Sequence, residues 1–160
     1  MDVQERVSEY FLKRPSAMTL MAARDLGLPE AEVVRALPAT TELKASALED
    51  ILRSLAALGR CHVIVSNRGA TLESRGEFGG FSRSGPFLNV ETPTLDMHLR
   101  PEAVASAFAV SKKGHRDGKP IHTVQFYDPQ GDSVLKVVLP REGGAGSLEA
   151  LKARFLVYSR

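Results

Sequence analysis

The chain has 160 residues, 43% hydrophobic and 25% charged, and its 21 basic and 19 acidic residues leave a formal net charge of only +2. Those values suit one globular domain with its own core and lack the cationic excess of a dedicated nucleic-acid binder. The single cysteine, Cys61, excludes an intrachain disulfide and a cysteine-based zinc site.

The opening MDVQERVSEYF has no basic segment leading into an apolar one, so no signal peptide is expected. No window approaches the roughly 18 apolar residues of a membrane span. A cytoplasmic protein with no membrane partner is the expectation.

In chain order, Val3, Val7, Tyr10 and Phe11 fall at helical spacing. Pro15 ends that run and Ser16 is placed to cap the next, which closes at Gly27. A third helix begins at Pro29 and stops before Pro38. LKASALEDILRSLAALG carries Leu48, Ile51, Leu52 and Leu55 on one stripe and ends at Gly59. Residues 1–59 are therefore read as a helical N-terminal part.

From Arg60 the period changes to two. CHVIV is a strand, with a turn at Asn67-Arg68-Gly69. ATLESRGEF is a second strand, whose glycine suggests a bulge. GEFGGFSRSG reads as a flexible loop, and PFLNV and TLDMHL as strands parted by a turn at Pro93. VASAFAVSKK, IHTVQFYD and SVLKVVLP form a meander, its first turn marked by Asp117-Gly118. REGGAG is read as a linker. Ser147 then caps a final helix over 147–159, with Leu148, Leu151, Phe155 and Tyr158 on one face. Helices, about seven antiparallel strands over 60–140 and one last helix make an α+β fold, a single domain over 1–160.

Three sites come into question. Ala23, Gly27 and Val33 have the spacing of a helix-turn-helix. The second helix, however, would offer Glu30 and Glu32 against Arg35 alone, a poor match to phosphates. Cys61 and His62 are strand neighbours on opposite faces, so they cannot form a nucleophile–base pair, and a buried, inert thiol is expected. In TLDMHLR, Leu95, Met97 and Leu99 share one face and Thr94, Asp96, His98 and Arg100 the other. That removes His98 from the core. It leaves either an idle surface residue or a ligand, and a neutral imidazole suits iron or copper. His62 and His122 lie on strands and His115 in the hairpin loop.

SNRGATLESRGEFG, GPFLNVETPTLDMHLR and AFAVSKKGHRDGKPIHTVQFYDPQGDSVLKVVLP together resemble the intracellular haem-utilisation carriers of the HutX/ChuX type, and each half of the duplicated HemS/ChuS-type haem proteins. G-P-x-L-N-V, M-H-L-R and R-D-G before F-Y-D-x-x-G-D carry the likeness. The resemblance implies a bent antiparallel sheet flanked by helices, pairing as a homodimer. It also implies a protein that takes up haem and passes it to a haem-degrading partner, without being an enzyme itself.

His98 matches the family's axial iron ligand. Ser66 and Glu91 stand where relatives carry further histidines, which leaves His98 alone as a matched ligand. Haem is a large apolar plate with two propionates. Phe78, Phe81, Phe87 and Leu88 lie in segments suited to a wall. Arg68, Arg75, Arg83 and Arg100 are candidates for the propionates, with Arg83 the most accessible. The alternatives are a helix-turn-helix regulator, including a haem-sensing one, and a haem-degrading enzyme.

Overall fold

The computed structural model describes residues 1–114, 116–140 and 144–155, except the side chains of 144–148. Helix α1 (Val3–Lys13) starts where Asp2 accepts a bond from the Glu5 backbone N–H at 2.8 Å and Glu5 accepts one from the Asp2 N–H in return. Helix α2 (Thr19–Leu26) ends on Gly27, whose φ of 64° is the left-handed conformation that glycine adopts without strain. Met18, not Ser16, holds its N-cap, and no side chain caps it. Helix α3 (Glu30–Arg35) follows Pro29.

The helical reading of 1–59 is interrupted by β1 (Thr40–Leu43), which pairs with a strand far along the chain. Helix α4 accordingly begins only at Leu48 and runs to Ala56. Leu43, which opens the helical run in the sequence reading, belongs to the strand instead.

The remaining strands are β2 (Arg60–Ser66), β3 (Thr71–Glu77), β4 (Phe81–Ser84), β5 (Phe87–Thr92), β6 (Leu95–Leu99), β7 (Ser106–Lys113), β8 (Pro120–Tyr127) and β9 (Ser133–Val138), and helix α5 spans Gly144–Phe155. All ladders are antiparallel, in a six-strand sheet ordered β1-β7-β8-β9-β2-β3 and a three-strand sheet β4-β5-β6. This is the expected α+β architecture, with nine strands among the described residues where seven were read.

Helices α1–α3 cover one end of the large sheet, where Val7, Val33, Phe108, Val110 and Tyr127 make a core. Its other face packs on α4, α5 and the small sheet through Ile51, Leu55, Val63, Leu88, Val90, Phe126 and Val137. Leu88 and Val90 are fully buried, and each such side chain contributes about 1.5–3 kcal/mol. The small sheet is thereby fixed on its inner face.

Two further expectations change. Gly76 forms no bulge, because β2 and β3 pair without a register shift from Arg60↔Glu77 to Ser66↔Thr71. It is instead a point of close approach: a Cβ there would lie 2.2 Å from the Thr94 hydroxyl. GEFGGFSRSG is not all loop, since Phe81–Ser84 pairs with Phe87–Val90. At the other end, the final helix begins at Gly144, so Ser147 lies inside it and not at its cap. His115, residues 141–143 of the REGGAG stretch, Tyr158 and the side chains of Ser147 and Leu148 lie outside the described residues. Among the described residues no helix is long and apolar enough to cross a membrane.

Candidate functional site

The small sheet is built by two tight hairpins. Between β4 and β5, Gly85 takes φ 58° and Pro86 follows, so two residues reverse the chain between the paired Ser84 and Phe87. Between β5 and β6, Pro93 and Thr94 reverse it between Thr92 and Leu95. That second turn sets the register Asn89↔His98, while the first sets Ser82↔Asn89.

Alternation then divides the sheet. Leu88, Val90, Leu99 and the partly buried Leu95, Met97 and Phe81 face the core. Ser82, Phe87, Asn89, Glu91, Asp96 and His98 lie on the outer face. The His98 side chain is 54% exposed there. Its Nδ1 lies 2.7 Å from Asn89 Oδ1, and Asn89 Nδ2 donates to Ser82 Oγ at 3.2 Å. Nε2 lies 3.4 Å from Asp96 Oδ1, a carboxylate that is itself 73% exposed.

The Phe87 ring stands edge-on to the imidazole, with centroids 6.3 Å apart. Arg100 continues the extended backbone one residue past β6, is exposed, and falls on the His98 side by alternation. Phe87 and His98 are thus neighbours, and alternation sets Arg100 on their side of the strand.

Arg83 and Phe81 are not with them. Both are in β4 and face the other way. Arg83 reaches α4 and donates to Glu49 at 2.5 Å, and the Arg53 guanidinium lies over the Phe81 ring at 4.9 Å. The hydrogen bond from Arg83, with a second from Arg53, holds the Glu49 carboxyl below its usual range. Phe78 is buried edge-on to Phe81, and Leu88 is buried in the core. Arg68 and Arg75 are exposed on the turn and strand of the β2–β3 hairpin.

Ser66 is in the large sheet, with its hydroxyl 3.0 Å from that of Thr71. Glu91 is on the His98 face, opposite Asp96. Among the described residues no three His, Cys, Asp or Glu side chains gather as a metal cage. Among the described residues the outer face of the small sheet thus carries one histidine, His98.

The other candidates resolve clearly. Cys61 is buried, and desolvation pushes its thiol up to about 11. His62 faces away from it and lies 2.8 Å from Glu73. His122 bonds the Ser111 hydroxyl at 2.7 Å. In the helix-turn-helix stretch, Ala23 and Val33 are packed as their spacing implied, but four of the six residues of α3 are buried. Glu30, only 4% exposed, accepts the Thr19 hydroxyl at 2.7 Å and pairs with Lys136 of β9. The part of α3 left at the surface is Glu32 and Arg35, which pair with each other and so offer little to a phosphate backbone.

Asn89 is the residue that sequence reasoning passed over. The signal was present: a polar residue between two core positions in LNV.

The family model described as "Haemin-degrading HemS.ChuX domain" matches residues 27–155. The chain belongs to this family. Within the HemS/ChuX family it is 29% identical over 161 residues to the hemin transport protein HemS of Yersinia enterocolitica, covering 96% of this chain and 46% of that protein. It is 26% identical to the intracellular heme transport protein HutX of Vibrio cholerae, covering 96% of this chain and 80% of HutX. The chain spans less than half the length of HemS and of the hemin transport protein HmuS of Yersinia pestis, 46% and 40%.

Among solved structures, ChuX superposes with a TM-score of 0.79 at 18% identity, covering 96% of this chain and 95% of ChuX. The heme degrading enzyme ChuS of Escherichia coli O157:H7 gives 0.85 at 24% identity, covering 99% of this chain and 48% of ChuS. At those identities the likeness is one of fold. It shows that the domain stands alone in some relatives and as half of a longer chain in others.

Proposed function

We propose that this protein is a haem carrier, holding the iron through His98 on the outer face of the small sheet. The observation that carries the reading is an exposed imidazole fixed on a short, core-anchored strand, with an aromatic edge beside it and an arginine at its end. The family and the haem-transport names of HemS and HutX support haem as the cargo.

The residues fit that group in a specific way. Phe87 supplies apolar contact to the porphyrin. Arg100 is placed to meet a propionate, while Glu91 and Asp96 on the same face repel one, so the propionates orient toward the Arg100 end.

One open face supplies one wall. The second wall is proposed to come from a second copy of the chain, as a homodimer. Single ligation by His98, with Ser66 bonded elsewhere and Glu91 a carboxylate, suits a protein that has to release its cargo to a haem-degrading partner in the cytoplasm. A carrier needs no oxygen-activating group, and this distinguishes the proposed role from that of ChuS, a heme degrading enzyme.

Hemin titration of the apo-protein tests the reading. A Soret shift is expected, with weaker binding and an altered spectrum in His98→Ala. Identical spectra and affinities in the two proteins refute the ligand assignment. With ascorbate and oxygen the holo-protein is expected to keep its Soret band and to surrender haem to apomyoglobin. Loss of the band with formation of a bilin-like spectrum makes it an enzyme instead.

A further inference from the structure

We propose that Asn89 is a positioning residue that holds the proton of His98 on Nδ1, so that the lone pair of the neutral imidazole is presented at Nε2; this rests on the carrier reading only in what the lone pair is for. Asn89 is 5% exposed although it sits on the outer face, on the central strand between Ser82 and His98. A buried amide oxygen needs a donor, and the structure sets one atom against it, His98 Nδ1 at 2.7 Å.

That distance is at the short end for N–H···O. The amide nitrogen donates to Ser82 Oγ, which turns the oxygen to the ring and assigns the proton to Nδ1. Were Nδ1 bare, two lone pairs would meet and the Asn89 oxygen would stay unsatisfied.

The one group favouring the opposite tautomer is Asp96, whose Oδ1 is 3.4 Å from Nε2. This is beyond a charge-assisted bond of about 2.7–2.9 Å, and the carboxylate is mostly in water. The buried partner prevails. In water an imidazole favours the proton on Nε2, the tautomer that cannot bind iron there without first losing it. Histidine ligands of metals commonly donate their other N–H to a carbonyl, which fixes ring orientation and raises basicity. Asn89 does this from the neighbouring strand, and it gives the asparagine of G-P-x-L-N-V a task.

Long-range ¹H–¹⁵N correlation spectra of histidine-labelled apo-protein, at a pH where the ring is neutral, read the tautomer without haem. The expected result is a pyrrole-type Nδ1 and a pyridine-type Nε2 for His98. The reverse pattern overturns the proposal, whatever the hemin titration shows. In Asn89→Ala the His98 signals are expected to move toward the Nε2–H form and hemin affinity to fall about 10- to 100-fold. Asn89→Asp keeps an acceptor at the same place and should keep the wild-type tautomer. A wild-type protein with the expected tautomer that binds no hemin would refute the carrier reading and leave this assignment standing.

Discussion

Gly80 joins β3 to β4 and carries the whole small sheet, so replacing it by alanine is a sharp test of how that sheet is held. Its φ is 62°, and an added Cβ would lie 2.0 Å from the carbonyl oxygen of Glu91. The left-handed backbone costs an alanine about 1–2 kcal/mol. The clash is with main chain, which cannot rotate away, and relieving it breaks the bond from the Glu91 N–H to the Gly80 carbonyl at 3.3 Å, worth about 0.5–1.5 kcal/mol.

Roughly 3 kcal/mol of destabilisation follows. For a chain of this size that lowers Tm by roughly 6–12 °C. Gly59→Ala is the control, because Gly59 also has a positive φ, 88°, but open space around its Cβ. It should cost about 1 kcal/mol. Scanning calorimetry of the two variants settles the matter. Equal melting temperatures would mean that Gly80 is needed only for its backbone angle and that the β4–β5 packing is softer than the geometry implies.

Two further outcomes are expected. The buried Cys61 thiol, raised to about 11 from 9.0, keeps its proton in the folded state over a range where the unfolded chain loses it. Its contribution is therefore complete below pH ~9 and is lost as pH rises through ~11, about 3 kcal/mol in all; urea titrations should show this extra alkaline slope in the wild type and not in Cys61→Ala. Arg100→Ala should weaken hemin binding about fivefold, the worth of one partly exposed charge contact, whereas Arg83→Ala should leave it unchanged because Arg83 is bonded to Glu49 on the inner face; equal losses measured by Soret titration would contradict the division of the sheet into two faces.

Where periodicity contrasted strongly, the sequence was legible: α1, the stripe of α4, the β7–β9 meander and the outward placement of His98 all follow from it. The elements that escaped had no contrast to show. Thr40–Leu43 is four residues long, and its one buried side chain, Leu43, also fits the helical stripe beyond it. Phe81–Ser84 has polar residues at three of four positions and is flanked by glycines, so its alternation is faint.

Reading that segment as loop removed any notion of faces, and for that reason Arg83 and Phe81 were grouped with His98 although they point to the other side. Asn89 was recoverable in principle. With a two-residue turn at Pro93-Thr94, counting back from Thr92 and forward from Leu95 sets Asn89 opposite His98. What no count along the chain supplies is the meeting of distant segments, such as Glu30 with Lys136 or Gly76 with Thr94.

The contact at Gly76 has a mechanical consequence. At one end β6 is sunk into the core through Leu99, 5% exposed. At the other, Thr94 is clasped beneath Gly76, and its carbonyl accepts the Ser74 hydroxyl at 2.8 Å. The span between is a short beam pinned at both supports rather than a cantilever, and His98 rides on it. Such a mount deflects little under load, so in the proposed carrier role the imidazole would meet an incoming ligand already aligned and spend little ordering entropy in doing so.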